Sequence, residues 1–387
     1  MDYSKSTLEN MVMRIKKSFN NIFENKRVFL TGHTGFQGSW LTLWLNLLGA
    51  KVIGFSQEPP TKPSMFEILN LKKEIEHHIG DIRNQSSLQK LIKKSDPDFI
   101  IHFAAQALVR DSYENPLETM QTNIMGTVNI LESIRNLDST KISIIMTSDK
   151  SYENSLNTKP HKETDPMGGF DPYSASKGAS ELVVSSYRNS FFHKKDSFQK
   201  VSTIRAGNVL GGGDWGKNRI IPDSVIAISS NKKIIVRNKD SIRPWQFVLE
   251  PLSGILWLIT KMNSTPKKFN QAWNFGPDQK NHVTVKQLVQ KVNQYWKNSS
   301  RIKYLNKKSN DPHESQYLKL NMSKSKNYLK WKSVYDINQT ISETINWYKA
   351  YYENSSSMYD LTTDQIINYF QHAQKMKLNW PKIKSTD

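Results

Sequence analysis

Not one of the 387 residues is a cysteine. That excludes disulfides, thiolate metal sites and cysteine nucleophiles, and makes a cytoplasmic address the default expectation. No apolar run reaches the ~18 residues of a membrane span. The opening stretch MDYSKSTLENMVMRIKKSFNNIFENK also lacks the apolar centre and small-residue cleavage site of a signal peptide. Acidic residues are scarce beside basic ones, 35 Asp+Glu against 54 Lys+Arg, for a formal charge of +19. Taken alone, that balance suggests nucleic acid, an anionic membrane or acidic substrates. The lysines are scattered, however, or stand in short pairs such as Lys93-Lys94 and Lys232-Lys233, with no basic stripe interleaved with aromatics. Neither nucleic acid nor membrane is therefore an expected partner, whereas phosphorylated substrates suit the field. His102 reads as a packed strand residue and His77-His78 as surface groups; neither belongs to a metal-ligand cluster, so no metal is expected.

What is present is organised around residues 141–177. The apolar run Ile142 to Met146 reads as a buried strand that delivers Thr147-Ser148-Asp149-Lys150 at its C-terminal end. A Tyr173-x-x-x-Lys177 pair follows on a helix expected from Asp171 to about Phe192. Ligands of open α/β sheets sit at the C-terminal ends of strands. A hydroxyl, a carboxylate, a phenol and an amine meeting there make a proton-handling site.

Upstream, the β-type run Lys26 to Thr31 leads into Gly32-His33-Thr34-Gly35-Phe36-Gln37-Gly38 and then an apolar helix pattern ending near Gly49. Strand, glycine turn and helix together predict a dinucleotide site, because the glycines let the backbone approach a pyrophosphate that faces the helix N-terminus. Lys51 to Phe55 reads as the second strand. Its end carries Phe55-Ser56-Gln57, with neither the acidic residue of many NAD proteins nor an arginine for a 2′-phosphate; NAD is expected over NADP. Gly80-Asp81-Ile82-Arg83 offers a carboxylate for the adenosine side, or a turn and helix cap. Asp98 to Phe103 is a further buried strand, and the small Ala104-Ala105-Gln106 after it lets the backbone lie against a cofactor. Asn115-Pro116 opens a helix through Asn123 and Gly126.

Lys200 to Arg205 is another strand. Beyond it the chain becomes loop-rich, with strands of a smaller lobe expected at 234–237 and 242–248, and Trp273-Asn274-Phe275 closing that lobe. Alternating strands and helices predict an α/β fold with a doubly wound, Rossmann-type parallel sheet and a smaller C-terminal α/β substrate lobe. The expected division is an N-terminal extension (1–25), a mainly dinucleotide-binding domain with the catalytic residues (26–205), a mainly substrate-binding lobe interleaved with it (206–352) and a polar C-terminal tail (353–387).

The glycine motif, the Ala104-Ala105 loop and the Tyr173/Lys177 pair, in this order, resemble the extended branch of the short-chain dehydrogenase/reductase superfamily across roughly Lys26 to Tyr352. Longer stretches, TGHTGFQGSWLTLWL, PPTKPSMFE, TSDKSYEN, RAGNVLGGGDW and IRPWQFVLEPLSG, resemble the CDP-glucose branch of the nucleotide-sugar 4,6-dehydratases. The resemblance implies a reaction without net redox change. NAD accepts a hydride from C4 of the sugar, water leaves across C5 and C6, and the hydride returns to C6. It implies Tyr173 as the base for the C4 hydroxyl, assisted by Lys177, with Ser148 orienting the C4 oxygen and Asp149 as the acid for the C6 hydroxyl. Lys150 stands where the dTDP-glucose relatives carry a glutamate base, and is either the base at C5 or a stabiliser of the enolate. Asp81, Ile82, Ala104, Ala105, Gln106 and Asn123 are implied around the cofactor with the glycine turn, and Asn208, Arg219, Arg243 and Asn274 on the nucleotide sugar. A homodimer paired through helices, one of them 171–192, is also implied. Competing readings are a dehydratase for another nucleotide sugar, a 4-epimerase, which needs no acid such as Asp149, and a cofactor-binding regulator with a dead site.

Overall fold

Six apolar runs and the polar stretch EHHI become the strands of one all-parallel sheet: β1 (Arg27–Thr31), β2 (Lys51–Ser56), β3 (Glu76–Ile79), β4 (Phe99–His102), β5 (Lys141–Met146), β6 (Gln199–Ala206) and β7 (Ala272–Phe275). Their spatial order is β7-β6-β5-β4-β1-β2-β3. The structure is a computed structural model and describes residues 3–139, 141–153, 159–192, 199–278, 282–297, 301–305 and 318–383. Strands covered on both faces read as near-continuous apolar runs, which is why VFL, FII and ISII were legible as strands.

The longer helices are α1 (Tyr3–Lys16), α2 (Phe36–Leu47), α3 (Gln85–Ser95), α4 (Gly126–Arg135), α5 (Pro172–Ser190), α6 (Ile220–Ser229), α7 (Leu249–Ser264), α8 (Val285–Trp296), α9 (Ile337–Glu353) and α10 (Met358–Lys375). Leu88 and Ile92 of α3, Ile130 and Ile134 of α4 and Val184 of α5 cover one face of the sheet. The other face is covered by α2 and α7, whose Trp40, Trp44, Leu252 and Leu256 are all fully buried. The chain runs outward through β1, β2 and β3, then returns to β4 on the other side of β1. At such a reversal the two flanking loops diverge and open a crevice at the carboxyl ends of the strands. Thr31 pairs with His102, His102 with Ile145 and Met146 with Ile204. The glycine turn, the Ala104 loop and the Ser148 turn therefore leave the sheet at one edge.

The smaller lobe is built from short strand pairs, Ile234–Val236 with Ile302–Tyr304 and Ile242–Arg243 with Val283–Thr284, beside α6 and α8. Thr284 and Gln287 open α8 with a reciprocal capping box. Two expectations are corrected. Trp273-Asn274-Phe275 does not close the lobe; β7 extends the main sheet, Ala272 pairing with Thr203 and Phe275 with Ala206. The two chain ends are not appendages either. Phe19 stacks on Trp380 with centroids 5.0 Å apart, and its N–H donates to the Trp380 carbonyl at 2.9 Å. In α10 the Tyr369 hydroxyl donates to the buried Glu250 carboxylate at 2.8 Å. The polar composition of both ends belongs to their outer faces; their aromatic residues join the core. Residues 1–2 and 384–387 lie outside the described residues.

Candidate active site

The glycine turn shows two different needs for glycine. Gly32 has φ +76°, and a Cβ at Gly38 would sit 2.1 Å from the Gly32 carbonyl oxygen, so turn and helix can close only without side chains there. A Cβ on Gly35 would meet only that same oxygen, at an ordinary 3.4 Å. Packing leaves Gly35 free of steric demand, as suits a backbone that a pyrophosphate approaches at the N-terminus of α2. Phe36 and Gln37 follow at the cavity wall. His33, within the turn, points back into the protein. Its Nε2 lies 2.7 Å from His77 Nδ1, and its ring occupies the space a Cβ on Gly54 would need. Burial, with the two neighbouring histidines, pushes His33 down to about 3 and keeps it neutral. His77 is thus half-buried and engaged, not the free surface group expected.

On the adenosine side, Asp81 is held by Arg83 and by Gln57, whose Nε2 donates at 2.9 Å. The Arg83 bonds keep its carboxyl below the usual range. Ile82 is buried under Gly126, and its carbonyl accepts from Asn129. Asn123 Oδ1 accepts from the Gln106 N–H at 2.8 Å, and its Nδ2 donates to the Gln106 carbonyl and to Ser176 Oγ. Asn123 therefore pins the Ala104-Ala105-Gln106 loop to α5, and its contact with a cofactor would run through that loop.

At the end of β5, Ser148 caps a short 3₁₀ turn, Asp149–Ser151, and accepts from the Lys150 N–H at 3.2 Å. Asp171 caps α5 by accepting from Ser174 N–H at 2.9 Å, with Pro172 at the first helical position. Tyr173 and Lys177 then share one face of α5 a turn apart. The Tyr173 phenol faces Ser148, whose hydroxyl donates to Asp149 Oδ1 at 3.2 Å. Burial pushes the phenol up to about 12, Ser148 opposing. Burial also raises the Asp149 carboxyl, against the charges of Lys150 and Arg243, and its Oδ2 is buried without a partner. Lys177 donates to the Met146 carbonyl at 3.3 Å, and burial brings its ammonium down to about 8, Glu181 opposing.

A cavity of about 350 Å³ joins these groups. Phe36, Gln37 and Ala105 line one end, Ser148, Asp149, Lys150, Tyr173 and Lys177 the middle, and Asn208, Arg219 and Arg243 the lobe side. Arg219 donates to Asp214 at 2.9 Å, and that carboxylate raises the guanidinium's hold on its proton. Asn274 is a correction. It is fully buried and spends its amide on Tyr152, on the carbonyls of His161 and Asn321, and not on the cavity. Its place on β7, inside the main sheet, is the reason. Lys217, Arg237 and Trp245 also line the cavity and were missed, although they flank the GGGDW and IRPW runs.

A glycine turn before α2, with Ser148 at the end of β5 and the Tyr173/Lys177 pair on α5 beside it, defines a short-chain dehydrogenase/reductase of the extended type. The comparisons narrow this. The family model described as GDP-mannose 4,6 dehydratase matches residues 29–344, and the chain belongs to that family. The chain is 45% identical over 334 residues to a CDP-glucose 4,6-dehydratase of Salmonella typhimurium, covering 86% of this chain and 92% of that one. It is 24% identical over 337 residues to a dTDP-glucose 4,6-dehydratase of Xanthomonas campestris, covering 82% and 92%. Among solved structures, a UDP-glucose 4-epimerase of Thermotoga maritima with UDP-glucose superposes with TM-score 0.72 at 19% identity, covering 84% of this chain and 99% of that one. A dTDP-glucose 4,6-dehydratase of Streptomyces venezuelae with NAD bound gives 0.71 at 20% identity, covering 84% and 97%. These two likenesses speak for the fold.

Proposed function

We propose that the protein is an NAD-dependent hydro-lyase that converts CDP-glucose to CDP-4-keto-6-deoxyglucose. The observation that carries this reading is Asp149, a buried carboxyl raised by its surroundings, bonded through one oxygen to Ser148 and leaving the other without a partner. A carboxyl that burial biases toward its proton-holding form, beside a Ser/Tyr/Lys set, is what expulsion of the C6 hydroxyl as water requires, and what epimerisation at C4 has no use for. The 45% identical relative supports the choice of nucleotide.

When bound, the nicotinamide dinucleotide supplies the acceptor for the electron pair leaving C4 and gives the same pair back at C6. Gly32, Gly35, Phe36, Gln37 and Gly38 would hold its pyrophosphate, Asp81 and Ile82 its adenosine side, and the Ala104-Ala105-Gln106 loop, set by Asn123, its nicotinamide half. Tyr173 takes the C4 hydroxyl proton, and Ser148 fixes the C4 oxygen. A phenol pushed up to about 12 is ionised at neutral pH only with positive charge beside it, the role assigned to Lys177. Asp149 gives its proton to the departing hydroxyl. Lys150, whose charge reaches Asp149, serves the C5 carbon by taking its proton or by steadying the enolate. Arg219, Arg243 and Asn208 hold the nucleotide diphosphate, arginine's planar fork matching phosphate oxygens.

We assign the working unit as a homodimer. Leu182 on α5, with Leu117 and Met125 on the neighbouring 116–125 segment, is 60%, 71% and 49% exposed respectively, an apolar set suited to a second copy. No described helix is long and apolar enough to cross a membrane, and a cytoplasmic site of action fits the nucleotide sugar. The test is incubation with NAD and a panel of nucleotide-glucoses. The expected result is loss of one water from CDP-glucose in preference to the others, giving a 4-keto product that absorbs in alkali. An isomer of unchanged mass would make the protein an epimerase, and no conversion of any sugar would end the proposal.

A further inference from the structure

We infer that the buried Glu181–Arg205 ion pair is a positioning device that clamps both ends of the 148–151 turn onto the helix carrying Tyr173 and Lys177. The pair lies behind the cavity. Glu181 stands one turn beyond Lys177 on α5, and Arg205 Nη2, on β6, donates to its Oε2 at 2.8 Å. Thr147, the residue before the turn, donates its hydroxyl to Glu181 Oε1 at 2.5 Å, with the Ile204 carbonyl as second neighbour at 3.0 Å. Tyr152, the residue after the turn, accepts from Arg205 Nη1 at 2.9 Å, and the guanidinium lies 4.8 Å above its ring. Thr147, Tyr152, Glu181 and Arg205 are each no more than 5% exposed.

The consequence is geometric. Ser148, Asp149 and Lys150 sit on a turn whose own bonds are short-range: the Lys150 N–H to Ser148 Oγ, the Ser148 hydroxyl to Asp149 Oδ1, and the Ser151 N–H and hydroxyl to the Ser148 carbonyl; from outside, the Gly168 N–H donates to the Ser151 carbonyl at 2.9 Å. Both of its ends are referred to one ion pair, and that pair is anchored to the helix face that presents the phenol and the ammonium. The network is thus a common base for the two halves of the site. It also contains its own control. Thr203 donates to the same Glu181 Oε2 at 2.8 Å, from β6, without touching the turn. Loss of the Thr203 bond weakens the carboxylate's support; loss of the Thr147 bond also releases the turn.

The test compares T147V, T147S and T203V, with Y152F opening the clamp from the other end, and its assay rests on the dehydration proposed above. T147V and T203V are expected to lose similar thermal stability, but only T147V and Y152F to lose kcat, by ~10–100-fold, as sub-ångström misplacement of reacting groups does. KM for CDP-glucose should move less than ~3-fold, and T147S should restore the rate. Crystal structures provide a readout independent of turnover: the 148–151 turn shifts away from α5 in T147V and stays in place in T203V. Equal activity losses in T147V and T203V, or an unmoved turn in both T147V and Y152F, overturn the inference. If the native protein converts no nucleotide-glucose while the turn still shifts in T147V, the clamp stands and the proposed reaction falls. Should T147V fail to fold, Y152F against T203V makes the same comparison.

Discussion

Ser148 Oγ donates to Asp149 Oδ1 at 3.2 Å and faces the Tyr173 phenol, so one hydroxyl stands between the base proposed for C4 and the acid proposed for C6. The two halves of the reaction therefore separate by mutation. Asp149→Asn keeps the shape and the Ser148 contact but cannot give up a proton. The expected outcome is a fall of ~10²–10⁴-fold in water loss, with C4 oxidation retained. Mass spectrometry of quenched mixtures checks it by detecting a keto-glucose nucleotide of undiminished oxygen count. Equal loss of both steps would show that Asp149 acts in the first one.

Lys177 makes a prediction of opposite sign for activity and stability. Burial lowers its ammonium from the ordinary 10.5 to about 8. Between those values the unfolded chain holds a proton that the folded one has released, so stability gains with rising pH there. At pH 7 the folded protein instead bears the cost of a buried charge, on the order of a few kcal/mol. Lys177→Met is expected to raise Tm at pH 7 while abolishing turnover, and the gain should shrink as pH climbs through 8 toward 10.5. Calorimetry across that range checks it. In the native protein, turnover should decline above about pH 8 as the ammonium is lost.

The glycine turn separates packing from binding. A Cβ at Gly38 would strike the Gly32 carbonyl at 2.1 Å, whereas one at Gly35 would rest 3.4 Å from the same atom. Gly38→Ala should therefore unfold or distort the turn and lower Tm without any cofactor present. Gly35→Ala should leave the cofactor-free protein within ~1 kcal/mol of native stability and weaken NAD by more than ~10-fold, through the methyl it places where the pyrophosphate must lie. Thermal shift with and without NAD tells them apart. Parallel behaviour of the two variants would remove Gly35 from the binding site.

How much of this was legible beforehand follows from the kind of signal each part leaves. The β1, β2, β4, β5 and β6 strands are local apolar runs, and the Gly32 turn, Ser148 turn and Tyr173/Lys177 pair are short motifs whose residues meet because of the parallel sheet; all could be read. β3 could not, because Glu76–Ile79 (EHHI) has a single apolar residue and reads as a surface histidine pair. β7 could not be assigned to the main sheet, because Ala272–Phe275 looks the same whichever sheet it joins, and its partner, Thr203 to Ala206, lies about seventy residues upstream. The same blindness put Asn274 on the substrate. Its identity suits a sugar ligand, but only the β6 neighbour reveals that its amide is spent on Tyr152 and two carbonyls. Glu181 and Arg205 gave no hint of each other, since a buried ion pair between a helix and a strand has no sequence period.

The chain ends supply the last test. Trp380 is 1% exposed; it stacks on Phe19 at 5.0 Å and on Tyr369 at 5.8 Å, and meets Trp44 of α2 edge-on at 5.9 Å. It thereby joins the segment after α1, the helix behind the glycine turn and α10 in one aromatic cluster. Truncating a buried tryptophan removes its transfer free energy and leaves a cavity, together ~3–5 kcal/mol. Trp380→Ala should accordingly lower the unfolding free energy read from urea denaturation by that amount and bring the midpoint down with it, whereas a tail with no structural part would leave the midpoint unmoved. Because the rings Trp380 meets, those of Phe19, Trp44, Tyr369 and Phe370, are not on the cavity wall, turnover at low temperature should stay close to native. If activity fell with the midpoint unchanged, the cluster would have to act on the site directly and not on the fold.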